Sequence, residues 1–113
     1  MNRIEELTSN LIEAVKESNE YLQYQRLLAQ VMEDGDLYFE INEFRKKSIS
    51  IQLHADRNLL DVSSELYAEY NTLLADSLVT DFLSSEQAYC RLIREMNDRI
   101  MESLDLDIDF LED

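Results

Sequence analysis

A chain of 113 residues with one glycine and no proline has almost no means of making tight turns. Two-residue hairpin loops depend on residues that tolerate positive φ, and sheet-rich chains mark their turns with Gly and Pro. Strands joined by hairpins are therefore a poor fit, and the apolar spacing is helical instead. Ile4, Leu7, Leu11 and Val15 recur at three and four, which predicts a first helix over about 3–16. Ser18 is placed to cap a second short helix with Tyr21, Tyr24, Leu28 and Val31 on one stripe. That helix ends at Asp34-Gly35-Asp36, where a left-handed Gly35 would close it.

From Leu37 the stripe runs without interruption to about Leu74. Its inward set is Leu37, Ile41, Phe44, Ser48, Ile51, Ala55, Leu59, Val62, Leu66, Tyr70 and Leu73, two heptads followed by two eleven-residue units. Read as one helix it is a rod of roughly 55 Å that cannot bury its seam against itself. Asp76 or Ser77 caps a final helix over about 77–104 carrying Val79, Phe82, Tyr89, Ile93, Met96 and Ile100. This helix is expected to fold back antiparallel on the rod. Ser84-Ser85-Glu86-Gln87 also reads as a capping box, so a break near residue 84 is the alternative. The expected architecture is all-α: two short N-terminal helices and a long antiparallel helical hairpin, associating into a helical-bundle dimer or higher oligomer. Residues 1–104 form one helical domain, and 105–113 an acidic tail whose apolar and acidic residues alternate.

Charge narrows the partners. Ten basic against 25 acidic residues leave a net charge of −15, which repels phosphate backbones and anionic lipid heads. Leu, Ile, Val and Phe still make up about 30% of the chain, enough for a core rather than a disordered polyanion. There is no stretch of 18 uninterrupted apolar residues and no secretory h-region at the start, so the expected setting is the cytoplasm, without direct nucleic-acid or membrane binding.

Catalytic and cofactor constellations are missing. A di-iron bundle needs Glu-x-x-His on two helices, but His54 is the one histidine and Ile51 stands three residues before it. One cysteine, Cys90, excludes a disulfide framework and a cysteine-only zinc site within the chain, and in its helix it reads as a small packing residue. His54 reads as a half-exposed surface residue. No glycine-rich phosphate loop or nucleophile elbow is present. We therefore expect no cofactor, no metal and no catalysis.

Two features exceed a plain bundle. Glu86 falls where the final helix wants an apolar residue, in the series 79, 82, 86, 89, 93. A carboxylate there needs a donor or suffers a desolvation cost on the order of several kcal/mol. Arg45 and Gln52 are candidate donors, and a pair of this kind can set register or oligomer state. The alternative is a rotated helix with Glu86 in solvent. The second feature is Arg45-Lys46-Lys47, a local positive patch that can meet an acidic partner, pair with the chain's own carboxylates, or simply be solvated.

With these residues in view, the chain resembles the YlbF/YmcA family of small bacterial helical proteins, described as control-of-competence regulators. The resemblance covers about residues 3–104. It is carried by Glu17-Ser18 with Tyr21 and Tyr24, and by Ile41-x-x-Phe44 with the basic residues after it and Gln52. Its most specific part is Val79-x-Asp81-Phe82-x-x-Ser85-Glu86, followed by Ile93 and Ile100. The family usually has Ala where Ser85 stands. The resemblance implies a non-catalytic regulator that homo-oligomerises. Family members join a YaaT-like protein in a complex that supports RNase Y in messenger processing and influences competence, biofilm formation and sporulation. It also implies a shared structural role for Glu86, with Arg45, Gln52, Phe44, Phe82, Tyr21 and Tyr24 as register or interface residues. Some members contribute C-terminal cysteines to an iron–sulfur cluster; this chain has no cysteine after Cys90. The competing readings are a stand-alone structural or chaperone-like helical dimer and a redox or metal-dependent protein.

Overall fold

A computed structural model describes residues 2–53 and 59–104, with the side chains of all but 52, 53 and 59–63. Among the described residues there are six helices and no strand: α1 (Arg3–Lys16), α2 (Asn19–Met32), α3 (Gly35–Leu53), α4 (Leu59–Glu69), α5 (Asn71–Leu74) and α6 (Ser77–Ser103). Polar caps punctuate a chain that lacks proline. Asn2 Oδ1 accepts the Glu5 N–H at 2.8 Å, and Ser18 Oγ accepts the Tyr21 N–H at 3.2 Å. Asp34 Oδ1 accepts from Leu37 N at 3.2 Å, and Asp76 Oδ1 from Leu78 N at 2.9 Å. Each satisfies an amide that the first turn of a helix leaves without an intrahelical partner.

α1 and α2 follow one another with a bend at Glu17–Ser18, and both run antiparallel to α6. α3, α4 and α5 form a second layer over one end only. Leu27 and Val31 of α2, Ile41 and Phe44 of α3, Leu66 of α4, Leu73 of α5 and Val79 and Phe82 of α6 make the core. Val31, Ile41, Val79 and Phe82 are wholly buried. At the other end α1 buries no residue. The molecule is correspondingly flat, 50 × 39 × 18 Å.

The structure corrects the rod. Residues 37–74 are not one helix: α3 ends at Leu53, and α4 packs back along it. The Phe44 ring lies 6.1 Å from that of Tyr67 and 5.5 Å from that of Tyr70, and Lys47 Nζ lies 2.7 Å from Glu69 Oε1. In a straight helix residues 44 and 70 would stand about 39 Å apart. The stripe is real, but two helices of a hairpin carry the same spacing as one long helix. Folding back lets Phe44 and Leu66 share a core within one chain. With the stripe divided between α3 and α4, there is no long rod whose seam requires a second chain.

Three smaller corrections follow. α6 lies along α2 rather than along a rod, because α1 and α2 together match its length. Gly35 does not close α2 in a left-handed conformation. It is the first residue of α3, with Asp34 as the cap before it, and a Cβ there would meet nothing within 4 Å. Cys90 is exposed rather than packed. The capping box at 84–87 is not used: α6 passes through it unbroken, and Ser85 Oγ donates to Phe82 O at 2.7 Å. His54 and the tail 105–113 lie outside the described residues.

Candidate functional site

The side chains singled out from the sequence meet where α2, α3 and α6 converge. Ser18 starts α2 so that Tyr21 and Tyr24 both face α6. The apolar spacing of α6 puts Phe82, Glu86 and Tyr89 on the facing side, one helical turn apart. Tyr24 stacks on Phe82 with ring centroids 5.7 Å apart and meets Tyr89 at 5.3 Å. Tyr21 closes the row edge-on against Tyr89 at 5.7 Å.

α3 supplies the cation. Arg45 Nη2 donates to Glu86 Oε2, Nη1 donates to Asn42 Oδ1 at 2.9 Å, and its guanidinium carbon sits 5.5 Å from the centre of the Phe82 ring. The pair is half-buried, with side-chain exposures of 29% for Arg45 and 24% for Glu86. Glu86 is thus neither apolar-packed nor free in solvent. It lies at the edge of the core, where its charge is matched by a donor 41 residues earlier. Under this pair, burial pushes the Tyr24 phenol above its ordinary value of 10.0. The Glu86 carboxylate pushes the same way, and the Arg45 guanidinium opposes both.

The basic run divides three ways. Arg45 turns to α6, Lys46 to Glu43 on its own helix at 3.5 Å, and Lys47 to Glu69 on α4 at 2.7 Å. Lys47 also stands 5.0 Å from the centre of the Tyr70 ring, and its hydrogen bond to Glu69 raises its pKa. The patch is thus neutralised by the chain's own carboxylates. Phe44 is buried in the core it shares with Phe82, with its ring against Tyr67 and Tyr70. Gln52 is in α3, but its side chain is outside the described set. Tyr89 and Asn42 were missed. Tyr89 stands three residues after Glu86 on the same stripe, and Asn42 three before Arg45, so helical spacing was the available signal.

Among the described residues no three His, Cys, Asp or Glu side chains converge to hold a metal. The thiolates an iron–sulfur cluster needs do not fit this chain, whose one cysteine is the exposed Cys90. No helix of the described residues is long and apolar enough to cross a membrane.

A second feature is a surface rather than a cluster. An open groove of about 960 Å³ lies between α1 and the second half of α6, lined by Leu7, Leu11, Val15, Leu92, Met96 and Ile100 among others. Among the described residues no helix covers it as the α3–α5 layer covers the other end.

Comparison with known proteins gives a consistent result. Residues 4–105 match the family described as "Control of competence regulator ComK, YlbF/YmcA". A UPF0342 protein of Caldicellulosiruptor saccharolyticus is 23% identical over 109 residues, covering 94% of this chain and 91% of its own length. A UPF0342 protein of Caldicellulosiruptor bescii is 22% identical over 108 residues, covering 93% and 91%. No solved structure matches.

Proposed function

Since the chain belongs to the YlbF/YmcA family of competence-control regulators, we propose that it acts as a non-catalytic cytoplasmic adaptor that self-associates and engages a protein partner. The partner is of the YaaT type or belongs to the RNase Y pathway of messenger processing. The observation that carries this reading is the bare apolar surface of α1. Ile4, Leu7 and Leu11 recur on one side of a helix that buries nothing, and they are 76%, 53% and 40% exposed. Such a stripe is stable in water only at the expense of an uncovered hydrophobic face, the usual mark of a surface that meets another chain. The Arg45–Glu86 pair, seated over Phe82 beside Tyr24, then fixes the register of α3 against α6 and so the shape presented to the partner. Phe44 and Tyr21 support that register.

The test is reconstitution. The purified chain is mixed with a purified YaaT-like protein or the soluble part of RNase Y and run on size exclusion. Co-elution at fixed stoichiometry is expected. A chain that self-associates but co-elutes with neither would favour a stand-alone helical dimer and overturn the partner assignment.

A further inference from the structure

Two cations of this chain are held in the same way, by a carboxylate and an aromatic ring together. Arg45 donates to Glu86 with its guanidinium carbon 5.5 Å from the centre of the Phe82 ring. Lys47 meets Glu69 at 2.7 Å and stands 5.0 Å from the centre of the Tyr70 ring. Each arrangement joins a charge-assisted hydrogen bond to the attraction of the ring face.

The outer side of α3 carries the same acid and ring without the cation. Ile41 and Phe44 face the core, so Phe39, two residues before Ile41, points away from it and is 64% exposed. Asp36 and Glu43, three residues before Phe39 and four after, are its neighbours on the helix surface. An acid in a first turn stabilises a helix whatever it meets, and Asp36 fits that account; Glu43, two turns further in, does not. Residues 32–43 contain five acidic side chains and no basic one. Among the described residues no cation lies over Phe39, and of those five acids Glu43 alone is in an ion pair, with the 75% exposed Lys46 at 3.5 Å.

The charge selects what can cover this ring. A face with carboxylates on both sides of an exposed aromatic repels acidic and phosphate-bearing partners and attracts cations. A second copy of this chain is a poor source, since it carries a net charge of −15 and two of its ten basic residues, Arg45 and Lys47, are already engaged as described. We infer that the outer face of α3 around Phe39 is the docking site for a basic segment of the protein partner, with one arginine or lysine laid on the Phe39 ring between Asp36 and Glu43. This rests on the adaptor reading for the existence of a partner, and adds where the partner docks and which chemistry it brings.

The full chain is titrated in a calorimeter against a purified YaaT-like protein and, separately, against the soluble part of RNase Y. Wild type is expected to bind one of them, and more weakly as salt rises. Phe39→Ala and Phe39→Leu should each weaken that binding about tenfold, because leucine keeps apolar area but not the ring face. Phe39→Tyr keeps the ring and should bind like wild type. Asp36→Lys should weaken binding at least about tenfold and flatten its salt dependence. Glu65→Lys makes the same charge change at an exposed site on α4 and should stay within about twofold of wild type. All four sites are exposed, so far-ultraviolet circular dichroism should show full helix in every variant. An equal loss in Glu65→Lys would mean that net acidity draws the partner, and wild-type affinity in Phe39→Ala or Phe39→Leu would mean that the ring face is unused. Either result overturns this docking site and leaves the adaptor reading intact. A wild type that binds neither protein overturns the partner reading, and the docking site with it.

Discussion

α6 is one unbroken helix with two unlike halves. Over Ser77–Cys90 its apolar positions meet α2 on one side and α3 with α5 on the other, and Val79 and Phe82 are wholly buried. Over 91–103 the same spacing continues, yet no residue is buried, and Ile93 and Ile100 are 38% and 42% exposed. The difference lies in the α3–α5 layer, not in the helix. α3 and α4 spend their apolar faces on each other and on the core at the first half of α6, and among the described residues α1 is the one helix beside the second half. Spacing decides that a face is apolar; the number of helices that reach it decides whether it is covered. The covered half is therefore where the buried core resides, and the second half contributes no buried residue to it.

The sharpest way to break this division is at Phe82. Phe82→Ala empties the centre of the covered half and is expected to cost about 3–5 kcal/mol in urea denaturation, with an unchanged slope. A loss under about 1 kcal/mol would mean that the core is not organised around α6. Next in size is Glu86→Ala, which leaves Arg45 half-buried with Asn42 alone. We expect about 1–2 kcal/mol, less than for a fully buried pair because water still reaches both side chains. Glu86→Gln keeps an acceptor and should recover part of the loss. An unchanged midpoint in Glu86→Ala, at unchanged assembly size, would remove the register role.

Much of this was legible in the residues alone. The bounds of α1 and α6 followed from spacing, and the starts of α2 and α6 from the caps at Ser18 and Asp76, since both signals act within one or two turns. The conflict at Glu86, an acid at an apolar position, pointed to Arg45 or Gln52 as a donor or to a solvated carboxylate, and Arg45 is the residue that meets it. The fold-back between α3 and α4 was not legible. A stripe of threes and fours is identical in a long helix and in two helices sharing a core, and no Gly or Pro stands between Leu53 and Leu59 to mark the change. The exposure of Cys90 was missed for a related reason: helical phase alone does not say how many neighbours a helix has. The bare face of α1 was likewise hidden, because an uncovered stripe and a covered one share the same letters.

Tyr24 offers a smaller effect with a definite sign. Its phenol is raised above 10.0 in the folded chain by burial and by Glu86. Above pH 10 the unfolded chain therefore releases this proton more readily than the folded one. Stability contributed here is intact below pH 10 and is lost as pH rises through the folded pKa. Denaturation midpoints measured between pH 9 and 11 should fall more steeply in wild type than in Tyr24→Phe. Equal slopes would mean that Tyr24 ionises as it does in the unfolded chain.

The smallest expected effect is at the bare end, and it is the most discriminating. Ile4 is 76% exposed, so Ile4→Ala should change the unfolding free energy of the dilute, unassociated chain by no more than about 0.5 kcal/mol. Anything that binds only the folded form raises its apparent stability by mass action. If copies cover the arm, the wild-type midpoint must climb with protein concentration, and the gap to Ile4→Ala must open with it. Phe82→Ala should instead lie below wild type at every concentration. A midpoint indifferent to concentration in both wild type and Ile4→Ala would show that the bare half stays bare, and the contrast between the two halves of α6 would then describe one chain's packing and nothing about its assembly.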